Sequence, residues 1–445
     1  MKAQLLNTLR TTAFALALAS PVALIAQDRV DAERTEVANL RPYDKSGINV
    51  FEAPKDTNAA FDKLRVQWGA GFTQSFQGLK HENTANNLYK MSPGFNTANA
   101  NLFMDVQLAE GIRLNLTSYL SARHHNETWV KGGYIQFDKL PFKGQIWEDI
   151  MKITTIKVGH MEINYGDQHF RRSDGGHTIY NPFVENYILD AFTTEIGGEV
   201  LVRKNGLFGM LGVSNGMIKG NIDSLIATPQ DANIHKSPAV YLKGGVDKQL
   251  NEDVRLRLSA SYYTNKSSGG QTLYAGDRTG SNYFMTMEKV GSTAAAQFTS
   301  GRVNPGFSKK VDAIMLNAFA KAKGLELFGT YEVAEGRTKT ETADRKATQY
   351  AIDAIYRLGK AENLFVGVRY NALDYRPADV TGAAPITYTQ DVKVDRLAFG
   401  AGWFLTPNVL LKGEYVKQQF KNLPAADYRT GGEFSGYVIQ AVVGF

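Results

Sequence analysis

Two short stretches carry residue types that could break bonds. Gly212 to Gly216 reads GVSNG and matches the G-x-S-x-G pattern of a nucleophilic serine. That pattern works where a strand turns sharply into a helix. Here it ends a strand and runs into MIKGNIDSL, which has no helical periodicity. In SARHHNE, Ser121 stands near His124 and His125. A serine and a histidine could serve acyl transfer, but such a site needs a third, orienting group, which spacing does not place. The two histidines could hold a metal; surface histidines are the simpler reading. Cysteine is absent, which excludes thiolate zinc sites, disulfides and thiol nucleophiles. No catalytic residue, cofactor or metal ligand is expected.

The denser chemistry is ionic. Residues 158–183, VGHMEINYGDQHFRRSDGGHTIYNPF, set Asp167, His169, Arg171, Arg172, Asp174 and His177 within eleven positions. Gly166, Gly175, Gly176 and Pro182 punctuate the run as a loop. Adjacent arginines can grip a carboxylate or phosphate through paired N–H donors. The neighbouring acids temper this to a weak preference for anions. The loop reads either as an ordinary solvated loop or as one folded into a pore to constrict it.

The elements that would carry such a loop are strands. IRLNLTSYLS sets Ile112, Leu114, Leu116 and Leu120 against Arg113, Asn115, Thr117, Tyr119 and Ser121. VRLRLSASYY, LFVGVRYN and RVQWGAGFTQ alternate in the same way, which is the signature of a strand with one apolar and one polar face. The pattern predicts strands at 63–76, 98–108, 112–122, 128–138, 153–165, 191–203, 206–215, 239–249, 254–264, 311–322, 325–334, 347–358, 364–373, 394–405, 409–420 and 435–445. The count is sixteen. It rises to eighteen if SNYFMTMEKV and STAAAQFTSG form a further hairpin.

Most of these strands exceed the ~5–6 residues of soluble sheets and reach the ~9–11 of a tilted membrane-spanning strand. Short turns (109–111, 204–205, 251–253, 323–324, 359–363, 406–408) alternate with long polar loops (77–97, 166–190, 216–238, 265–310, 335–346, 374–393, 421–434). That asymmetry fits a closed antiparallel transmembrane β-barrel rather than a sandwich or a solenoid. A closed barrel also satisfies every backbone group of an all-β chain in lipid. The polar faces carry both signs. Arg65, Arg113, Arg255, Arg257, Arg357 and Arg369 are matched by Asp105, Glu195, Glu199, Glu326, Glu332 and Asp353. Facing a lumen, they would pair across strands or set a transverse field that screens solutes.

The chain opens with basic MKAQLLNTLR, then apolar TTAFALALASPVALIA, then polar QDRVDAERTE. This reads as a secretory signal peptide over 1–26. Residues 27–62 are expected to form a periplasmic N-terminal extension or a segment tucked into the lumen, and 63–445 the barrel. Without Lys2 and Arg10 the chain keeps 48 basic and 44 acidic residues, a balance that argues against nucleic acid.

The last residues, GYVIQAVVGF, place Tyr437, Ile439, Ala441, Val443 and Phe445 at alternate positions. They resemble the C-terminal signature of bacterial outer-membrane proteins, which implies recognition by the outer-membrane assembly machinery. Residues 158–200 resemble porins of the alginate-export and phosphate-selective type, where a glycine-rich strand enters a polar loop at the eyelet. These resemblances imply the outer membrane of a Gram-negative bacterium, with lipid and lipopolysaccharide around the barrel. They imply small hydrophilic solutes passing through it by diffusion, and are compatible with a homo-oligomer. The alternative is a non-conducting barrel acting as adhesin or scaffold through its long outer loops.

Overall fold

The computed structural model describes residues 37–56, 61–123, 127–220, 224–295 and 299–445. The expected leader, residues 27–36 and 57–60 of the expected extension, and the His124–His125 pair lie outside the described residues.

The strands are β1 (Arg65–Glu82), β2 (Gly94–Phe95), β3 (Asn99–Ala109), β4 (Ile112–Leu120), β5 (Trp129–Phe137), β6 (Thr154–Glu162), β7 (Thr194–Lys204), β8 (Leu207–Ser214) and β9 (Ala239–Gln249). They continue as β10 (Val254–Asn265), β11 (Lys310–Ala322), β12 (Leu325–Arg337), β13 (Arg345–Leu358), β14 (Leu364–Tyr375), β15 (Val392–Thr406), β16 (Val409–Lys421) and β17 (Glu433–Gly444). One helix, α1 (Gln145–Ile153), lies in the connection from β5 to β6.

Each strand from β3 onward pairs antiparallel with the next, and β17 returns to β1 from Gly71↔Gly444 to Glu82↔Glu433. The ring is closed. Among the described residues it has sixteen members, with the two-residue β2 outside it, bridged to β1 at Phe76 and Gln77. Phe445 completes the closure: its N–H donates to Ala70 O at 3.0 Å, and Ala70 N–H donates to Phe445 O at 2.8 Å.

All sixteen expected strands are present. The largest difference in extent is β1, which runs to Glu82 rather than 76. β3 pairs it only as far as Thr73, but β17 supplies a ladder for the rest. The possible extra hairpin in 265–310 does not form: no strand lies between β10 and β11 among the described residues. Met285 and Met287 there adopt positive φ (58° and 62°) and are buried with Tyr283, so that segment turns inward instead of extending along the wall.

The two faces of the wall follow the period of two. Outward stand Trp68, Phe72, Leu256, Leu258, Ile314, Leu316, Leu327, Tyr331, Tyr350, Phe399, Trp403, Tyr415 and Tyr437, all exposed. Most inward side chains are buried, because much of the lumen is filled. The core of this molecule sits inside its barrel, where Ile163, Phe183, Val184, Ile188 and Leu189 pack against Val392, Val394, Val416 and Val438 of the wall.

Candidate functional site

Three segments fill the lumen. The first, residues 163–193, leaves β6 and rejoins at β7, and nearly all of it is buried. An irregular backbone inside a barrel must find partners for its peptide groups, and the inward side chains of the wall supply them. Thr73 Oγ1 donates to Gly176 O at 2.9 Å, and Asn101 Nδ2 to Asp174 O at 3.0 Å. Gln349 accepts from Leu189 N–H and donates to Leu189 O, both at 2.8 Å. Arg369 donates to Glu185 O and Arg396 to Asn186 O, at 2.8 and 2.6 Å. Lys412 Nζ donates to the carbonyls of Thr178, Asn181 and Phe183 within 2.9 Å. The contacts come from β1, β3, β13, β14, β15 and β16, so the segment spans the lumen. Glycine permits its closest approach: a Cβ on Gly176 would collide with the backbone of Ala100 in β3.

The second segment, residues 266–287 and 299–309, lies against the first. Arg172 and Arg302 each reach both Asp190 and Asp277, at 2.7 to 2.9 Å, forming a buried cluster of two cations and two anions. Burial alone would raise the Asp277 carboxyl, but the two guanidinium groups hold it well below the carboxylate range.

The third segment is 37–56, which crosses the short-turn end. Glu52 pairs with Arg257 at 2.8 Å and Lys243 at 3.2 Å. Asn49 donates to Glu326 at 2.6 Å, Lys55 pairs with Asp138 at 3.3 Å, and Lys45 N–H donates to Pro407 O at 3.0 Å.

The six candidate residues of the constriction run divide into two groups. Asp167 accepts from Arg257 at 2.8 Å and Ser259 at 2.7 Å, and pairs with Lys243 at 2.7 Å. Arg171 bonds Asn49, lies 3.6 Å from Glu326 and covers Phe319 and Phe328. Both are fasteners, packed away from open space. His169, Arg172, Asp174 and His177 line a cavity. The expectation of two arginines acting as a pair is therefore corrected. A 3-10 turn, Gln168–Arg171, ends between them, and their side chains diverge into separate ion-pair clusters.

That cavity, of 250 Å³, lies between residues 40–53, the inward segment and the wall from β3 to β7. Its cations are Arg41, Lys131, Lys157, Arg172 and Arg203, and its carboxylates Glu52, Glu162, Asp174 and Glu199. Tyr43, Phe103, Tyr134, Phe170, Tyr180 and Phe192 give it aromatic walls. Lys131 bonds Asp174, and Lys157 stands 3.6 Å from Glu199. Arg41 spends its donors on the carbonyls of Gly47 and Phe170 and stacks on Tyr180, 3.6 Å from the ring centroid. His169 bonds Glu162 and Asn164. His177 Nε2 meets Tyr43 O at 2.7 Å, and burial pushes this imidazole down to about 4, so it is neutral at pH 7.

The other inward candidates each have a close partner. Arg113 pairs with Asp138 at 2.7 Å, Arg255 with Asp247 at 2.6 Å, Arg357 with Glu326 at 2.6 Å and Arg369 with Asp353 at 2.7 Å. Arg65 pairs with Asp62 at 2.7 Å at the short-turn rim. Three acids meet neutral donors instead. Glu195 accepts from Ser214 and Tyr263, Glu332 from Tyr165 and Tyr274, and Asp105 from Asn115 and Tyr43. Tyr437, Ile439, Ala441, Val443 and Phe445 share the outer face of β17.

Ser214 of GVSNG donates to Glu195 and accepts from Gly216 N–H. Ser121 donates to Thr279 O. Both hydroxyls serve local structure.

Sequence reasoning missed Arg41, Lys131, Lys157 and Arg203. Arg41 belongs to a segment with no strand period. Lys131 is the extra residue at a register shift between β4 and β5 and precedes the pair Gly132–Gly133, which is the one local sign of an irregular strand there.

No protein-family model matches the chain, and no curated protein matches it. Among solved structures it is similar to the anion-selective porin from Comamonas acidovorans, at 11% identity and a TM-score of 0.53, over 86% of this chain and 100% of that one. The outer membrane channel DcaP of Acinetobacter baumannii aligns at 9% identity and a TM-score of 0.48, over 86% and 97% of the two chains. A loop L8 deletion mutant of OmpT, an outer membrane protein of Vibrio cholerae, aligns at 9% and 0.48, over 86% and 100%. The likeness to the Comamonas protein is one of fold: a closed antiparallel barrel of porin type.

Proposed function

We propose that this chain is an outer-membrane porin-type channel that lets small hydrophilic solutes diffuse through its barrel, with a weak preference for anions. The observation that carries this reading is a closed sixteen-strand ring, apolar outside, around a charged interior cavity. An apolar outer face on a closed ring suits lipid, where no edge can stay unpaired. The cavity has five lysines and arginines against four carboxylates, and among its histidines His160, His169 and His177 the last is neutral at pH 7. The fold shared with a porin that is itself anion-selective supports the same direction.

The solute path follows the wall from β3 to β7. The short-turn end faces the periplasm, 37–56 crosses the lumen there and borders the cavity, and the long loops face outward. The outer face of β17 is the surface offered to the assembly machinery, and lipid with lipopolysaccharide surrounds the wall. No step of this function needs a bond to break.

One observation favours a second reading. On the side of β10–β17 apolar side chains of the wall and of the inward segment are buried together, and Arg369, Arg396 and Lys412 bind that segment to the wall. Such packing suits a non-conducting barrel that acts through its outer loops as adhesin or scaffold. Planar-bilayer recording of the purified full chain decides between the two. Steady ohmic current with reversal toward the anion potential under a salt gradient supports the channel, and a silent membrane supports the scaffold.

A further inference from the structure

Helix α1 has a face without a protein partner. On a helical projection Ile146, Trp147, Ile150, Met151 and Ile153 share one side, while Gln145, Glu148, Asp149 and Lys152 share the other. Met151 is buried at 3% exposure. Ile146 stands at 73%, Ile150 at 43% and Trp147 at 42%, and Phe142, 57% exposed, packs its ring 5.4 Å from Trp147. A soluble helix of nine residues gains nothing by presenting this much apolar surface to water.

The wall beside it is short. The helix packs beside β6 and β7. β4, β5 and β6 have nine residues each, β7 has eleven and β8 has eight, whereas β11 to β16 have twelve to fifteen. At ~3.3 Å per residue and ~45° tilt, nine residues cover roughly 21 Å of height. Thirteen cover roughly 30 Å, against an apolar band of ~25 Å. The short side falls below the band, and α1 sits at its short-turn end. Its exposed face continues the exposed belt of Ile135, Val158, Val200 and Val202 on the neighbouring strands.

We propose that α1 is an interfacial helix: it lies at the headgroup–acyl boundary of the phospholipid leaflet at the short-turn end, with Ile146 and Ile150 among the acyl chains, Trp147 at headgroup depth and Glu148, Asp149 and Lys152 in water. It completes the apolar band where the wall is too short. A tryptophan on such a helix belongs at headgroup depth, and an amphipathic helix in this plane is held by the area it buries. This inference rests on the reading of the barrel as membrane-spanning.

The chain has no cysteine, so single nitroxide labels are unambiguous. The full chain, reconstituted in phosphatidylethanolamine–phosphatidylglycerol vesicles, is labelled in turn as Ile146→Cys, Ile150→Cys, Asp149→Cys and Leu316→Cys, the last on the outer belt. Collision with oxygen reports lipid, and collision with a water-soluble nickel chelate reports water. The proposal expects the labels at 146 and 150 to be several-fold richer in oxygen than in nickel collisions, like 316, and the label at 149 to be the reverse. Labels at 146 and 150 as open to nickel as 149, with 316 still in lipid, would overturn the interfacial helix and leave the barrel reading intact. Labels at 146 and 150 shielded from both probes and broadened by one another would place a second copy there, and would also overturn it. A nickel-accessible label at 316 would remove the membrane reading and this inference together.

Discussion

The two sides of the lumen are built differently. On the side of β10–β17, inward Val311, Met315, Ile355, Val392, Val394, Val416 and Val438 are fully buried against Ile188, Leu189 and the second inward segment. On the side of β3–β7, inward Asn115, Thr117, Lys131, Lys157 and Glu199 surround an open cavity. The same outer surface therefore wraps a packed core on one side and a charged chamber on the other. Both sides carry inward charge: on the packed side Arg369, Arg396 and Lys412 are taken up by the backbone of the inward segment, and on the other Lys131 and Lys157 border open space.

Removing a charge from the fastening between these sides has the largest expected effect. Arg257 meets Glu52, Asp167 and Asp247 while itself 1% exposed. Arg257→Ala leaves buried Glu52 and Asp167 to share Lys243, and breaking a buried pair in this way costs about 3–5 kcal/mol. Arg65→Ala removes an exposed pair worth no more than about 1 kcal/mol. Urea unfolding of the two variants in detergent micelles should show a large loss for the first and almost none for the second. Equal losses would mean the cluster does not hold 37–56 and 163–193 to the wall.

Next comes the outer face. Leu316 lies at the centre of β11, and Leu316→Arg should destabilise the barrel in lipid by about 2–4 kcal/mol. Folding yield into vesicles measures it, and an unchanged yield would mean that this face does not meet hydrocarbon.

The chamber itself is probed by charge. Lys131→Ala leaves Asp174 without its lysine, and Lys157→Ala does the same for Glu199. Under a salt gradient the double variant should shift its reversal potential toward cations. An unshifted potential would place the ion path elsewhere.

The smallest effect is a pH dependence. Burial alone would raise the Glu52 carboxyl, but Lys243 and Arg257 bring it down to about 2 from an ordinary 4.5. A carboxyl depressed in this way stabilises the fold above its ordinary value, and that contribution fades as pH falls toward about 2. A nitroxide at exposed Ser46, as Ser46→Cys, should stay immobile above about pH 5 and loosen across that window. A label already mobile at neutral pH would contradict the fastening.

Much of the wall was legible from sequence, because period-two alternation survives wherever one face meets an apolar surroundings and the other does not. The strands of β10 and β14 read cleanly, with Leu256 and Val366 outward and Arg257 and Arg369 inward. The filling of the lumen was less legible. FVENYILDAF, residues 183–192, is too apolar for a solvated loop, and its Phe183, Val184, Ile188 and Leu189 form the packed side. The roles of Arg171 and Arg172 depend on a single turn ending between them, and spacing cannot report which way each side chain leaves the backbone. Arg41 and Glu52 reach the chamber from a segment without periodicity, so nothing local marked them.

The central claim, that solutes pass on the charged side and not the packed one, has a direct test. Single cysteines are placed at Thr117, on the wall of the chamber, and at Ala347, fully buried on the packed side. A negatively charged thiosulfonate reagent is added during bilayer recording. The account predicts steady current that falls on modification of Thr117→Cys and is untouched in Ala347→Cys. Block at Ala347→Cys alone, or a membrane that never conducts, would contradict it.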